Sequence, residues 1–345
     1  MTDISHRKPI GVGLIGYGLG GRAFHAPYIR TAPDLSLRAV VSRDPDKVRA
    51  DIADVVVLPS VEEMLRLPDI ELVVVSSPDH LHADHAVQAL EAGKHVVIDK
   101  PFAASLCDAQ RVVAAAERTR GIVTAFHNRR WDADFRTLRS LITQGLLGEI
   151  VHYESRFDRW RPQPRTDWKE AREGGSWMDL GPHLLDQALV LFGPPETISA
   201  DLAILRGNGP APDYFHVTLR YPQRRVILHS SKSAVDHDLR FIVHGTKGSW
   251  TKSGTDQQEA ATLAGHLPEG EGWGQDPVSG QLTLADDGVS AYLNVAGDYR
   301  LFWQAMTAAV RGEGPNPIPP SEAITVMQWL DAAVESARSD RPVKV

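Results

Sequence analysis

The sequence predicts an α/β protein in two parts: a doubly wound parallel sheet, then a domain in which helices accompany a mostly antiparallel sheet. Three observations lead there. Up to about residue 128, short Val- and Ile-rich runs alternate with helical patterns, as strands buried on both faces of a parallel sheet do. Beyond it, apolar and polar residues often alternate with a period of two, which suits an antiparallel sheet with one face turned to solvent or to a partner. A chain of 345 residues is also too long for one ordinary core, so two domains are expected, 1–128 and 129–345.

The strand candidates of the first part are IGVGLIG (10–16), LRAVVS (37–42), DVVVL (54–58), ELVVVSS (71–77), HVVID (95–99) and IVTAF (122–126). Helical patterns at 21–31, 45–51, 60–66, 80–92 and 105–119 separate them, giving the βαβα rhythm of a doubly wound sheet. The second part offers EIVHYESRF (149–157), TISADLAIL (197–205), YFHVTLRY (214–221), RVILHSS (225–231) and LRFIVHG (239–245), with a proline turn in YPQRRV. Residues 252–296, rich in Gly, Asp and Pro, read as long loops. LFWQAMTAAVRG and SEAITVMQWLDAAVESAR read as amphipathic helices, the second capped by Ser321.

Composition narrows the function. Hydrophobic residues at 42% and charged residues at 23% are globular values that argue against disorder. The 37 basic and 44 acidic side chains give a formal charge of −7, which disfavours a nucleic-acid partner. The single cysteine, Cys107, excludes an internal disulfide and fits a reducing compartment. No apolar run approaches the roughly 20 residues of a membrane span. The apolar stretch near the start reads as a strand rather than an export signal, so no membrane partner is expected and the cytoplasm is the expected location.

Gly16-Tyr17-Gly18-Leu19-Gly20-Gly21 fits G-x-G-x-x-G directly after a strand and at the opening of a helix. In a dinucleotide-binding turn the first glycine permits the tight bend, the second lets the backbone approach pyrophosphate, and the third lets helix and strand pack closely. The helix's unpaired N–H groups then face the negative charge. The second strand ends in Ser42-Arg43, a hydroxyl and a guanidinium that suit the 2′-phosphate of NADP. Asp44 leaves NAD open, because a shift of the turn by one residue would give it the ribose-binding role. Further on, Asp99-Lys100-Pro101 closes a strand, which puts Lys100 at a carboxyl end, where open α/β sheets bind ligands. Taken alone, that tripeptide equally describes a surface lysine beside a turn. GGSWMDLGPHLLD (174–186) sets Asp179 and His183 four apart, and Pro182 between them places the start of a helix near residue 180.

The glycine turn, SSPDHLHADHAVQALEAGKHVVIDKP and GGSWMDLGPHLLDQ together resemble the Gfo/Idh/MocA family of dinucleotide-dependent oxidoreductases, and the similarity extends over nearly the whole chain. The resemblance implies a Rossmann domain followed by an α/β domain with an open, mostly antiparallel sheet. It implies a homodimer or homotetramer formed through that sheet. HNRRWDADF (127–135) and YFHVTLRYPQRRVILH resemble the branch of NADP-dependent scyllo-inositol dehydrogenases. The family's catalytic lysine, aspartate and histidine match Lys100, Asp179 and His183, and Ser77, Pro78, His82 and Asp99 fall beside the cofactor. Asn128, Arg129 and Trp168 are candidate substrate contacts. Two departures stand out: Asp99 replaces the usual glutamate, and Lys169 follows Trp168 where many relatives have arginine.

On this reading His183, whose side-chain type titrates near 6.5, exchanges a proton with a secondary alcohol. Lys100 donates to the reacting oxygen, and Asp179 orients and charge-stabilises the pair. The expected substrate is a polyol, inositol or sugar-like alcohol or its ketone, with NADP preferred. A small-aldehyde or ketone reductase using the same triad is the alternative within that chemistry. A non-catalytic dinucleotide sensor, an epimerase and a redox-cycling glycosidase are the others. His80, His82 and His85 raise a metal site, but apart from Asp79 and Asp84 no acid or cysteine completes a ligand set, and no metal is expected.

Overall fold

A computed structural model describes residues 7–164 and 174–345. The first strands and helices in chain order are β1 (Ile10–Ile15), α1 (Ala26–Thr31), β2 (Leu35–Val41), α2 (Pro45–Asp51), β3 (Val56–Leu58) and α3 (Val61–Leu65). Next come β4 (Leu72–Val75), α4 (His82–Glu91), β5 (His95–Ile98), α5 (Leu106–Thr119) and β6 (Val123–Ala125). After these lie α6 (Ala133–Thr143), β7 (Ile150–Arg156), α7 (Gly175–Phe192), β8 (Thr197–Ala203), β9 (Tyr214–Arg220), β10 (Arg225–Ser231), β11 (Leu239–Gly245) and β12 (Gly248–Ser253). The chain ends with α8 (Gln258–Leu263), β13 (Gly280–Leu284), β14 (Gly288–Tyr292), α9 (Arg300–Val310) and α10 (Pro320–Ser339). Two compact units result: residues up to Asn128 with 258–273 and 298–324, and Arg129–Gln257 with Gly274–Gly297 and Thr325–Val345.

In the first unit six parallel strands lie in the order β3-β2-β1-β4-β5-β6. Every residue of β1 and β4 is buried, as their unbroken apolar runs require. β1 and β4 are neighbours although β2 and β3 lie between them in sequence. The crossovers therefore leave them in opposite directions, and a crevice opens at their carboxyl ends. Helix starts obey local chemistry: the Ser105 side chain accepts a hydrogen bond from the Asp108 amide at the head of α5.

The second unit is an eight-stranded sheet in the order β14-β13-β12-β11-β7-β10-β9-β8, in which β7 and β10 are the parallel neighbours. β9 shows why this sheet forms: Phe215, Val217 and Leu219 are buried, while Tyr214, His216 and Thr218 between them are partly exposed. The buried face packs on α7 through Trp177, Leu180, Leu184 and Leu185.

Three expectations need correction. The stretch 252–296 is not all loop: α8 lies within it, and the β13–β14 hairpin extends the sheet. An Asp286-Asp287-Gly288 turn makes that hairpin, with Gly288 at φ +72°. α7 begins at Gly175 rather than near residue 180, so Pro182 lies inside the helix. Tertiary contacts override its cost. The Ser176 amide donates to the Pro212 carbonyl (2.7 Å), and Trp177, fully buried, donates from Nε1 to the Leu330 carbonyl (3.1 Å). α10 starts at Pro320, so Ser321 sits within the first turn instead of capping it, proline being pre-set for a first helical position.

A charged group lies at the heart of the second unit. Arg240, fully buried, donates to Asp134 Oδ2 (3.0 Å), Ser155 Oγ (2.6 Å) and Gln187 Oε1 (2.9 Å). The Phe157 and Phe241 rings flank its guanidinium at 4.2 and 4.0 Å. Replacing Arg240 by methionine keeps the volume but strands the buried Asp134 carboxylate. The expected loss is roughly 3–5 kcal/mol of stability, read by urea denaturation.

Candidate active site

The glycine turn is shaped by what its missing side chains would strike. Gly16 follows β1 with φ +95°, and a Cβ there would lie 2.5 Å from the Ser76 carbonyl oxygen. At Gly21 it would lie 2.2 Å from the Gly16 carbonyl oxygen, so the turn and the following helical segment close on each other only without a side chain. At Gly20 it would meet Asp99 Oδ2 at 2.5 Å and Ser76 Oγ at 2.6 Å. Gly18 differs: a Cβ there meets nothing within 4 Å. Its side chain is missing beside open space, as expected of the glycine that lets backbone approach a pyrophosphate, so the turn fits a dinucleotide. Residues 21–25 then form a π-turn, in which the Ala26 amide donates to the Gly21 carbonyl, before α1 continues.

Leu19 is half exposed on this turn, and Tyr17 is buried. The Tyr17 hydroxyl donates to Asp51 Oδ2 (3.2 Å), which also receives Arg22 Nε (2.7 Å). Burial first, and the Asp51 carboxylate second, push the Tyr17 pKa above the ordinary phenol value. At the end of β2, Ser42 accepts from the Asp44 amide (3.1 Å), and Asp44 Oδ1 accepts from the Lys47 amide (3.0 Å) as the cap of α2. Arg43 between them is exposed.

The ends of β4 and β5 are tied together by polar groups. Ser76 Oγ donates to Asp99 Oδ2 (3.1 Å), and Asp99 Oδ1 accepts from the Lys100 amide (2.8 Å). His25 Nε2, from the π-turn, lies 3.4 Å from Asp99 Oδ2. Burial works against ionisation of Asp99, but the contact and charge of His25, with His82 and Lys100 adding to them, hold its pKa below the ordinary carboxylate range. The buried His82 ring spans two carbonyls, Nδ1 2.7 Å from that of Pro101 and Nε2 2.8 Å from that of Ser77. Ser77 Oγ and His85 Nδ1 are 3.0 Å apart, and burial foremost, then His82, lowers the His85 pKa. Pro78 precedes the short 3-10 turn Asp79–Leu81 that leads into α4. His82 and His85 are thus committed to hydrogen bonds within the fold. Among the described residues no three histidine, cysteine or acidic side chains gather to hold a metal ion.

In the second unit, Asp179 and His183 stand one turn apart on α7, which puts both on one face of the helix, Asp179 partly exposed and His183 buried. The next residues of that face are anchored. Asp186 receives both Nε and Nη2 of Arg130 (2.8 and 2.6 Å), and Gln187 Nε2 donates to the Arg129 carbonyl (2.8 Å). Asn128 and Arg129, in the turn Asn128–Trp131, are both buried. The Arg129 guanidinium donates to Asp132 (3.2 Å) and lies over the Phe157 ring. Trp168 lies outside the described residues.

The structure therefore gathers Gly16, Gly20, Gly21, Ser77, His82, Asp99 and Lys100 at the carboxyl ends of three neighbouring strands, and it sets Asp179 and His183 on one helix face. Sequence reasoning missed Ser76, His25 and Asp51. The first two hold Asp99, and Asp51 holds Tyr17 and Arg22. No local pattern marks them, because a π-turn, a strand end and the last residue of α2 bring them into place.

Comparison with known proteins decides the family. Residues 10–127 match the NAD-binding Rossmann domain of the Gfo/Idh/MocA oxidoreductases, and residues 139–345 match that family's C-terminal alpha/beta domain. The chain belongs to the Gfo/Idh/MocA family. It is an oxidoreductase with a nicotinamide-dinucleotide-binding Rossmann domain. This family member is 45% identical to the uncharacterized oxidoreductase YdgJ of Escherichia coli over 95% of its own length and 96% of that protein's. It is 34% identical to the scyllo-inositol 2-dehydrogenase (NADP(+)) IolW of Bacillus subtilis, over 97% and 95% of the two chains. The solved structure of the Yersinia pestis protein YPO2259 superposes with a TM-score of 0.95 at 42% identity, covering 98% of this chain and 97% of that one.

The turn's geometry separates its glycines experimentally. Gly18→Ala is expected to leave the melting temperature of the nucleotide-free protein unchanged while weakening dinucleotide binding by roughly tenfold or more, about 1.4 kcal/mol. Gly21→Ala is expected to lower the melting temperature itself. Calorimetric titration and thermal unfolding of the two variants check both outcomes.

Proposed function

We propose that the protein is an NADP-preferring dehydrogenase or reductase acting on a polyol, inositol or sugar-like secondary alcohol and its ketone. The observation that carries this reading is the intact residue set: Lys100 two residues beyond the end of β5, with Asp179 and His183 one turn apart on α7. The nicotinamide, when bound, supplies the hydride acceptor or donor. His183 takes the hydroxyl proton in oxidation and returns it in reduction. The Lys100 ammonium donates to the reacting oxygen and stabilises the negative charge that develops there. Asp179 orients the imidazole and balances the positive charge that it gains.

The end of β2 supports NADP. Asp44 spends one carboxylate oxygen on capping α2, whereas a ribose-binding acid would direct its carboxylate at the 2′-hydroxyl. Ser42 and the exposed Arg43 offer a hydroxyl and a guanidinium to a 2′-phosphate instead. The name of the relative IolW points the same way, to NADP and to a cyclic polyol. Self-association as a homodimer or homotetramer fits the second unit's sheet, whose face away from α7 presents the partly exposed Glu154, Arg156, His216 and Thr218. A cytoplasmic location fits the single cysteine, exposed and unbridged. Among the described residues no helix is long and apolar enough to cross a membrane.

Reduction of NADP⁺ and NAD⁺ by inositols and aldoses, measured beside oxidation of NADPH and NADH by small aldehydes and ketones, tests the substrate class; turnover confined to the small carbonyl compounds would overturn it. On the best substrate, Lys100→Met and His183→Ala are expected to lower kcat by roughly 10²–10⁴-fold, the usual worth of a positioned proton-transfer group. Near-native turnover in both would remove the proposed roles. Arg43→Ala is expected to raise the KM for NADP⁺ by about tenfold, one charge-assisted hydrogen bond's worth, and to leave that for NAD⁺ unchanged.

A further inference from the structure

His25 is an expensive residue where it stands. Its side chain is wholly buried, its ring lies 4.4 Å from that of Phe126 and edge-on to Trp303 at 5.8 Å, and neither ring nitrogen has a hydrogen bond of normal geometry among the described residues. A phenyl ring suits such a wall better, since a buried nitrogen without a partner forfeits its hydration and gains nothing. What the imidazole adds is one contact, Nε2 with Asp99 Oδ2 at 3.4 Å. That carboxylate is the junction of the nucleotide crevice. It receives Ser76 Oγ from the end of β4 and the amide of Lys100, and it lies where a side chain on Gly20 would have to be.

We infer that His25, acting through Asp99, is a positioning residue for the dinucleotide: it fixes the carboxylate that sets the glycine turn against the ends of β4 and β5. The π-turn is what aims it. The extra residue in the Gly21–Ala26 hydrogen bond shifts the helical register just before α1, and His25 closes that turn. Without the imidazole, Asp99 loses a partner on the side of the turn, and both Gly20 and the Lys100 amide lose a fixed reference. The inference rests on the nucleotide-binding role of the glycine turn and goes beyond it in assigning a task to a residue that no glycine or lysine motif contains.

The test compares the parent protein with His25→Phe, His25→Gln, Asp99→Asn and the His25→Phe/Asp99→Asn double variant. Each is titrated with NADPH and NADH, and each is unfolded thermally without nucleotide. His25→Phe is expected to raise the Kd roughly fivefold, about the net worth of one polar contact, while the nucleotide-free protein melts at or above the parent's temperature. His25→Gln, whose amide nitrogen stands where Nε2 stood, is expected to bind like the parent. The double variant is expected to bind no more weakly than the weaker single one, because both changes break the same contact. Three results would overturn the inference: parental affinity in His25→Phe, a fall in its melting temperature in step with the lost affinity, or additive effects in the double variant. If the parent itself bound neither nucleotide, the role of the glycine turn would fall, and this inference with it.

Discussion

The first unit depends on one close approach: backbone at the glycine turn lies against the ends of β4 and β5 with no room for a side chain at Gly16, Gly20 or Gly21. Because β1 and β4 are neighbours whose crossovers diverge, that approach leaves a crevice at their carboxyl ends instead of a filled corner. Gly18 alone in this turn borders open space, so a single loop combines three steric necessities with one opening for a ligand. Lys100 and Asp99 belong to the same construction, since they follow β5, the next strand over.

The second unit meets a different constraint. Its sheet buries one face, and the period-two pattern of β9 and its neighbours achieves that, yet the buried side also holds a guanidinium. Arg240 is accommodated because Asp134, Ser155 and Gln187 supply acceptors and two phenylalanine rings cover its faces. Gln187 links this core to α7, the helix that carries Asp179 and His183. That helix thus serves both the core of the unit and the face proposed for proton transfer, and the anchoring of Asp186 by Arg130 limits how far it can turn.

Much of this is legible in the chain. The valine-rich runs and the glycine turn specify their own conformations, and the structure adds only their order in the sheet. Lys100, Asp179 and His183 stand out because their neighbours in sequence, a strand end and a helical spacing of four, are part of the signal. The start of α7 misleads for the converse reason. Pro182 is a strong local signal for a helix start, but the burial of Trp177 and the bond of Ser176 to Pro212 outweigh it. The β13–β14 hairpin is hidden within a stretch whose composition resembles loop, although its Asp-Gly turn is there to read.

The sequence by itself determined the class of fold, the nucleotide turn and the candidates for proton chemistry, because each rests on periodicity or on spacing within a few positions. Only the tertiary structure decided that Asp44 caps a helix, that His82 spans two carbonyls, and that His25, Ser76 and Asp99 converge. Those groups come from different strand ends and turns, and a pattern along the chain cannot encode a distance between segments that only packing brings together.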